Sequence, residues 1–587
     1  MELKPCLREQ LDVEFQDVFY SVKIFKNYVQ TIGKLDILQG VSGRFGHGKL
    51  SAIMGSSGAG KSSLLNALSG YVTIGVSGDI ICDRKNICYI VQEDEHGENF
   101  TVGELMNLAC DLRLGRKQRS EKREIINKIL IKLNMNHRVD VKPHKLSGGE
   151  RKRLSIALEL VANPKILFLD EPISGLDEVT ARQCIQLLSN LAKEGHTIVC
   201  TLHQPSMTTF NYFDSVYVLG KGQCIYQGSP RSLIPFLQHI QRECPIQYSP
   251  PDYIIELCDF EGEKIIRLMS EAMGNGKYIY YDDSIQMPFR QTIAEQTALE
   301  DSGFTLRNEK ISGFYQFKIL FAFMILKIMR ARVSLLLQFV HHSSVGIFMG
   351  LIIWNKGNEG ALMYEHMKFC VINIFMVAYT QIIIPVLGYP TEVKLLKKET
   401  FNHWYTLPPY YAAFCLSRVP LQIFLNVMYL GTTYTMYGLP MQWSRFILFV
   451  LAVQMTSFVA EGIGLTIASI FNVINGTVVG PVTIATFLGT AIYGFDFVSR
   501  IPKIVDILLT FTFMRVGCKA LIFTLFGFGR EKLDCDDYFC HFSDPRVLLK
   551  FVGLHKTSFQ EQIFLLLIMV IFFRILFYLG LRRRCKT

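Results

Sequence analysis

Up to roughly residue 330 the sequence lacks any apolar run long enough to cross a bilayer. Its opening, Met1 to Asp12, is polar and charged and lacks the apolar core of a secretory leader, so this first portion is expected to remain in the cytosol. None of the 15 cysteines has the paired spacing of a metal centre, and most read as small core residues or free thiols. Cys535 and Cys540 differ: they lie in the one long polar loop of the second half, and an extracellular loop would let them form a disulfide. No glycosylation sequon falls in a loop expected to face outward, because Asn475-Gly476-Thr477 sits in a tight turn and Asn99-Phe100-Thr101 in the first portion. There is also no surface that interleaves aromatic with basic residues. The net charge of +10 and the clusters Lys327, Arg330, Arg332 and Arg582, Arg583, Arg584, Lys586 therefore point to positive-inside topology and anionic lipid, not to nucleic acid.

What is abundant is apolar sequence: half of the 587 residues are hydrophobic, and they concentrate after Val333. Six spans are expected, at about 333–354, 369–389, 411–437, 446–472, 477–497 and 561–581. Ahead of them Phe314 to Arg332 is amphipathic, with Phe317, Leu320, Phe321, Met324, Ile328 and Met329 near one face, and should lie along the interface. The polar connector Glu392 to Thr406, with Lys394, Lys397, Lys398 and Glu399, falls on the cytosolic side between spans two and three. Val498 to Gln560 is placed outside, which returns the basic tail to the cytosol. The expected organisation is a cytosolic α/β P-loop domain over 1–255, a linker over 256–312, and an all-α membrane domain over 313–587.

The densest chemistry lies in the first portion. Gly55-Ser56-Ser57-Gly58-Ala59-Gly60-Lys61-Ser62 fits the G-x-x-x-x-G-K-[ST] phosphate loop at every fixed position, between an apolar run (Leu50 to Met54) and a helix-like run from Ser63. Its glycines let backbone N–H groups converge on phosphate oxygens. Lys61 would reach the β- and γ-phosphates, and the Ser62 hydroxyl would hold Mg²⁺. Further on, Ser147-Gly148-Gly149-Glu150 suits a helix N-terminus that offers N–H groups to an anion. Ile166-Leu167-Phe168-Leu169 reads as a buried parallel strand ending in Asp170 and Glu171, where α/β sheets place their ligands. Asp170 would orient the metal and Glu171 would polarise the attacking water.

Phosphate loop, Ser-Gly-Gly-Glu and apolar strand with Asp-Glu, in that order, resemble the ATP-binding cassette. The resemblance implies roles for further residues: Gln92 links Mg²⁺ and the γ-phosphate to the membrane domain, Asp177 in Ser174-Gly175-Leu176-Asp177 lies at a subunit interface, and His203 is the switch histidine on the γ-phosphate. It also implies that Ser147, Gly148 and Gly149 close over ATP held by the Gly55–Ser63 loop of a second chain. Only one cassette is present, so a partner is required. Tyr20 is a candidate for stacking on adenine, with a strand-core tyrosine as the alternative reading. Cassette-first order with six following spans is similar to the G subfamily of half-transporters, which includes White-type pigment carriers and sterol exporters. Ser147 to Arg153, Val479-Gly480-Pro481-Val482 and Arg574 carry that likeness, and Phe526 to Glu531 through Cys535 and Cys540 look most like the sterol-exporter branch.

Two places depart from that branch. Cys518-Lys519 stands where an aromatic followed by Glu is usual, and Glu461 is an ionisable group near the middle of span four. Glu461 reads either as a contact to substrate, water or a partner span, or as a buried pair or a protonated carboxyl facing the bundle. The resemblance implies an exporter of an amphipathic, lipid-like cargo in the plasma membrane or a vesicle membrane, with both termini cytosolic and Phe375 and Tyr379 as possible cavity residues. It would work as a homodimer or a heterodimer. A White-like carrier of pigment precursors and an ATP-gated channel or regulator are the alternatives, and the intact Glu171 argues against the last.

Overall fold

The computed structural model describes residues 12–26, 30–93, 96–97, 99–281, 285–288, 311–493, 503–535, 540–551, 554 and 558–586. The expected leader-free opening (1–11), parts of the expected linker (282–284 and 289–310) and the end of the fifth expected span (494–497) lie outside them. Two units result: Met1–Ile319 together with Lys398–Thr406, and Leu320–Lys397 together with Leu407–Lys586.

The strands of the first unit are β1 (Val13–Lys26), β2 (Gln30–Phe45), β3 (Leu50–Gly55), β4 (Val76–Ile81), β5 (Ile87–Ile90), β6 (Ile166–Leu169), β7 (Thr197–Thr201), β8 (Ser215–Gly220), β9 (Gln223–Gly228), β10 (Tyr278–Tyr281) and β11 (Ile285–Pro288). β2, β1 and β4 form an antiparallel sheet, and the others form a sheet in the order β11-β10-β9-β8-β3-β7-β6-β5. Strands β3, β5, β6 and β7 are buried at every position, as parallel strands covered on both faces must be. Their registers pair Ile53 with Thr201, Leu169 with Cys200 and Ile90 with Leu169. Four parallel strands therefore end at one edge, and the loops carrying Gly55–Ser62, Gln92, Asp170–Glu171 and His203 all leave from it.

The helices of this unit are α1 (Lys61–Ser69), α2 (Val102–Leu114), α3 (Arg119–Lys132), α4 (Gly148–Leu160), α5 (Glu178–Lys193), α6 (Met207–Phe210), α7 (Leu233–His239), α8 (Pro250–Glu261) and α9 (Glu263–Ala272). Helices α8 and α9, and strand β10, belong to this unit although the sequence reading begins its linker at residue 256; α9 packs on β9, and β10 pairs with β9. Tyr20, on β1, packs partly buried against the apolar core.

Helix α10 (Gly313–Arg330) leads into α11 (Arg332–Ile352), α12 (Met363–Phe401), α13 (Leu407–Tyr437), α14 (Trp443–Ile470) and α15 (Val473–Tyr493). Then come α16 (Lys503–Thr510), α17 (Phe513–Phe526), α18 (Pro545–Phe551) and α19 (Phe559–Lys586). Among the described residues, helices α11 to α15 and α19 are long and apolar enough to cross a membrane, six where six spans were expected. Gly346 and Gly350 of α11 let it approach α13, with Tyr429, Thr432 and Met436 packed over the two missing side chains. The long region 498–560 is less loop-like than its composition implies. Helix α17 is largely buried against α14, α15 and α19. Its 14 residues reach only about 21 Å, too short to span a bilayer core of about 30 Å.

Candidate nucleotide site and its membrane counterpart

In the phosphate loop Gly58 and Gly60 adopt φ of 81° and 102°, which a side chain at either position would strain. The turn folds Lys61 back, and its Nζ donates to the Gly55 and Ser56 carbonyls at 2.8 and 2.9 Å. Burial pushes the Lys61 ammonium below the usual lysine range, while the Glu171 and Asp170 carboxylates pull it back up. Ser62 Oγ donates to Asp170 Oδ1 at 2.9 Å, so the hydroxyl and the carboxylate expected at the metal lie side by side. Gln92 Nε2 donates to Glu171 Oε2 at 2.8 Å. Lys61, Ser62, Gln92, Asp170 and Glu171 are thus brought together. His203 is exposed two residues beyond the end of β7.

Glu171 has φ of 45°, a left-handed conformation rare outside glycine and asparagine. One side chain holds it there. Thr201 Oγ1 accepts from the Glu171 N–H at 2.8 Å and donates to Asp170 Oδ1 at 2.7 Å, which fixes both carboxylates from the neighbouring strand. Strain of this kind persists only where surrounding contacts over-determine it. Sequence reasoning passed over Thr201; its place at the end of a strand parallel to β6 was the available signal.

The second cluster forms at the start of α4. Ser147 Oγ accepts from the Glu150 N–H at 3.2 Å, and Glu150 Oε2 accepts from the Ser147 N–H at 2.9 Å. The Ser147 hydroxyl hydrogen is left to donate outward. Gly149 has no room for a Cβ, which would strike Thr180, and Gly148 faces Leu176. Asp177 caps α5, accepting from the Thr180 N–H at 3.0 Å. Ser147, Gly148, Gly149 and Asp177 therefore share one surface, built on contacts between α4 and the Leu176–Thr180 turn. Lys152 joins this helix to the first cluster by donating to the Gln92 carbonyl at 3.1 Å.

The model of the ABC transporter family matches residues 38–174, and that of the ABC-2 type transporter matches 315–526. Curated relatives match over most of the chain. ABC transporter G family member 14 of Arabidopsis thaliana is 27% identical across 98% of this chain and 92% of its own length. Family member 22 of the same plant is 26% identical across 97% and 79%. The broad substrate specificity ATP-binding cassette transporter ABCG2 of Bos taurus is 27% identical across 80% and 77%. The chain belongs to the G subfamily of ATP-binding cassette half-transporters. It binds nucleotide and is an ATPase coupled to transport across a membrane.

Two further arrangements matter to such a transporter. Within the first unit, Lys398–Thr406, which connects two membrane helices, is stitched to the cassette. Asn402 Nδ2 donates to the Tyr89 carbonyl and Asn402 Oδ1 accepts from the Tyr89 N–H, both at 2.9 Å. Trp404 Nε1 donates to the buried Glu159 at 3.2 Å, and Arg113 pairs with the same carboxylate at 2.7 Å. Tyr89 lies three residues before Gln92, and Glu159 lies on the helix that Ser147 opens. In the membrane unit Glu461, 1% exposed, receives Arg418 Nε at 3.1 Å and the Arg574 guanidinium. Of the readings the sequence left open for Glu461, the structure has the buried pair. Arg418 begins a polar stripe along α13, continued at Gln422, Asn426, Tyr429, Thr433 and Tyr437 with steps of three and four residues. Gln422 and Asn426 each donate to Ser457 of α14, at 2.7 and 2.9 Å.

Proposed function

We propose that this chain is one half of a dimeric exporter that uses ATP hydrolysis to move a lipid-like or sterol-like amphipathic molecule. Its partner is a second copy or another half-transporter of the G subfamily. The dimer reading is supported by two half-sites that stand on different elements: Lys61, Ser62, Asp170 and Glu171 cluster at the strand ends, while Ser147, Gly148, Gly149 and Asp177 are built on α4 and the start of α5. Each ATP would lie between Gly55, Ser56, Gly58, Ala59, Gly60, Lys61, Ser62 and Ser63 of one chain and Ser147–Gly149 of the other. Lys61 neutralises the β- and γ-phosphates. Ser62, Asp170 and Gln92 offer a hydroxyl, a carboxylate and an amide oxygen, a donor set suited to Mg²⁺, which when bound neutralises charge on the phosphates. Glu171 takes a proton from the attacking water, and His203 contacts the γ-phosphate. Closure of the dimer moves Lys398–Thr406 through its bonds to Tyr89 and Glu159.

The cargo reading draws on the apolar, aromatic-rich spans, with Phe375 and Tyr379 of α12 toward the cargo path, and on the Phe526–Cys540 region. There Cys535 and Cys540 form a disulfide, as befits an extracellular loop. That region facing outward leaves both termini cytosolic in the plasma membrane or a vesicle membrane. A pigment-precursor carrier built as a heterodimer is the second reading, kept because Cys518 and Lys519 depart from the sterol-exporter branch. The test is ATPase activity of the full chain in lipid nanodiscs against sterols, phospholipids and tryptophan-derived pigment precursors, with this chain type alone. Stimulation by a lipid is expected. Stimulation by pigment precursors only would favour the second reading, and full-rate turnover by a monomer would remove the shared site.

A further inference from the structure

Among the described residues β5 is the outermost strand of the larger sheet, so the backbone groups on its far edge find no further strand. At Tyr89 one side chain stands in for that strand: the Asn402 amide accepts from the Tyr89 N–H and donates to the Tyr89 carbonyl, both at 2.9 Å. The ring of Tyr89 stacks on Tyr71, just beyond the end of α1, with 4.6 Å between centroids. Phe401, the neighbour of Asn402 in the connector, meets both rings edge-on at 5.1 and 6.2 Å. The hydroxyl at the end of the Tyr89 ring reaches the metal carboxylate. Its oxygen lies 3.4 Å from Asp170 Oδ2, while Asp170 Oδ1 accepts from Ser62 and Thr201. Among the described residues no other group donates to Oδ2. Tyr89 is 2% exposed, and burial together with the Asp170 carboxylate pushes its phenol above the usual tyrosine range, so the proton stays on the oxygen and is free to donate. At 3.4 Å the bond is slack, because a hydroxyl on a carboxylate closes to about 2.5–2.7 Å. A displacement of β5 by less than about 1 Å completes it or breaks it.

We propose that Tyr89 is a positioning residue for ATP hydrolysis: its hydroxyl fixes the second oxygen of Asp170, and Asn402 of the connector between two membrane helices sets how closely that hydroxyl approaches. A carboxylate held through Oδ1 alone can turn about its Cβ–Cγ bond, whereas a donor on Oδ2 fixes its plane. Tyr89 touches neither nucleotide nor metal and acts through Asp170. The connector thereby gains a path to the metal carboxylate itself, separate from Gln92 three residues further on. The inference rests on the reading of Asp170 as the carboxylate that serves Mg²⁺, and the experiment tests that reading in its own arm.

The experiment uses the full chain in lipid nanodiscs and measures binding of the non-hydrolysable analogue AMP-PNP, once with Mg²⁺ and once with EDTA. The quantity read is the gain in affinity that the metal brings. Asp170→Asn should erase most of that gain. Tyr89→Phe keeps the ring, its stack on Tyr71 and the backbone bonds to Asn402, and removes only the hydroxyl. It should cut the gain by about three- to fivefold and leave affinity in EDTA unchanged. Asn402→Ala should cut the gain in the wild type and add nothing in the Tyr89→Phe background. A gain of wild-type size in Tyr89→Phe overturns the proposal. So does an equal loss of affinity in Mg²⁺ and in EDTA, which marks a residue that only packs. An Asn402→Ala loss of full size in the Tyr89→Phe background overturns the part given to the connector. If Asp170→Asn leaves the gain intact, the metal reading of Asp170 fails and takes the inference with it; if Asp170→Asn erases the gain and Tyr89→Phe does not move it, the inference alone fails. Tyr89→Phe decides the part of the hydroxyl whether or not Asn402→Ala folds.

Discussion

The two units place their charged groups in opposite ways. In the cassette, Asp170 and Glu171 sit at the tips of parallel strands, partly accessible, with Thr201 holding them in a strained backbone. In the membrane unit, Glu461 is enclosed midway along a helix by two guanidiniums. The first arrangement keeps carboxylates available for chemistry, and the second removes one from it. A carboxylate at a strand end can exchange a hydrogen bond for water or substrate; one clamped by Arg418 and Arg574 cannot do so without leaving two cations in hydrocarbon.

The comparison breaks most sharply at Glu171. Glu171→Gln should lower ATP turnover by about 10²–10⁴-fold while nucleotide binding persists, measured by phosphate release against binding of labelled ATP. If turnover survived, the strand-end carboxylate would be as structural as Glu461. Next in size is Glu461→Leu, which leaves Arg418 and Arg574 facing an uncharged neighbour. Thermal unfolding in nanodiscs should report a loss of about 3–5 kcal/mol, and replacing all three residues by apolar ones of similar size should recover most of it. Failure of the triple variant to recover would mean that the cluster has a task beyond pairing.

The legibility of the two regions differed for the same physical reason. Phosphate and metal chemistry demands particular residue types at fixed backbone positions, so Gly55–Ser62, Ser147–Gly149 and Asp170–Glu171 were readable without a fold. Six apolar stretches likewise sufficed for the spans. Partnerships across helices leave no such local trace. Glu461 could be noticed, but its pairing with residues 43 positions before and 113 after it could not be derived. Thr201 was hidden in a strand whose pattern shows only burial, and α17 was hidden in a region whose charges read as a loop. The bond from Asn402 to Tyr89 spans 313 residues and depends on a connector folding against β5.

Thr201→Val sharpens the comparison within the cassette. It keeps the strand and the volume but removes the hydroxyl that positions both carboxylates. The Glu171 N–H loses its acceptor, and the φ of 45° loses its restraint. A fall of about tenfold in turnover, with ATP affinity little changed, is expected from the loss of one such hydrogen bond. An equal loss in ATP affinity would mean that Thr201 serves the phosphate loop instead.

The smallest effect is expected at Trp404, and it bears on how the two kinds of site communicate. Trp404→Phe keeps the ring over Arg113 but removes the N–H that reaches Glu159; Arg113 still pairs with that carboxylate, so no buried charge is stranded. A neutral donor of this kind contributes about 1 kcal/mol. If Lys398–Thr406 is the route by which the cassette drives the spans, basal hydrolysis should hold while stimulation by lipid falls several-fold, and amides near Asn402 should exchange hydrogen faster. If both rates fell together, Glu159 would be acting on the α4 surface that Ser147 opens, and the connector would be a passenger on the cassette.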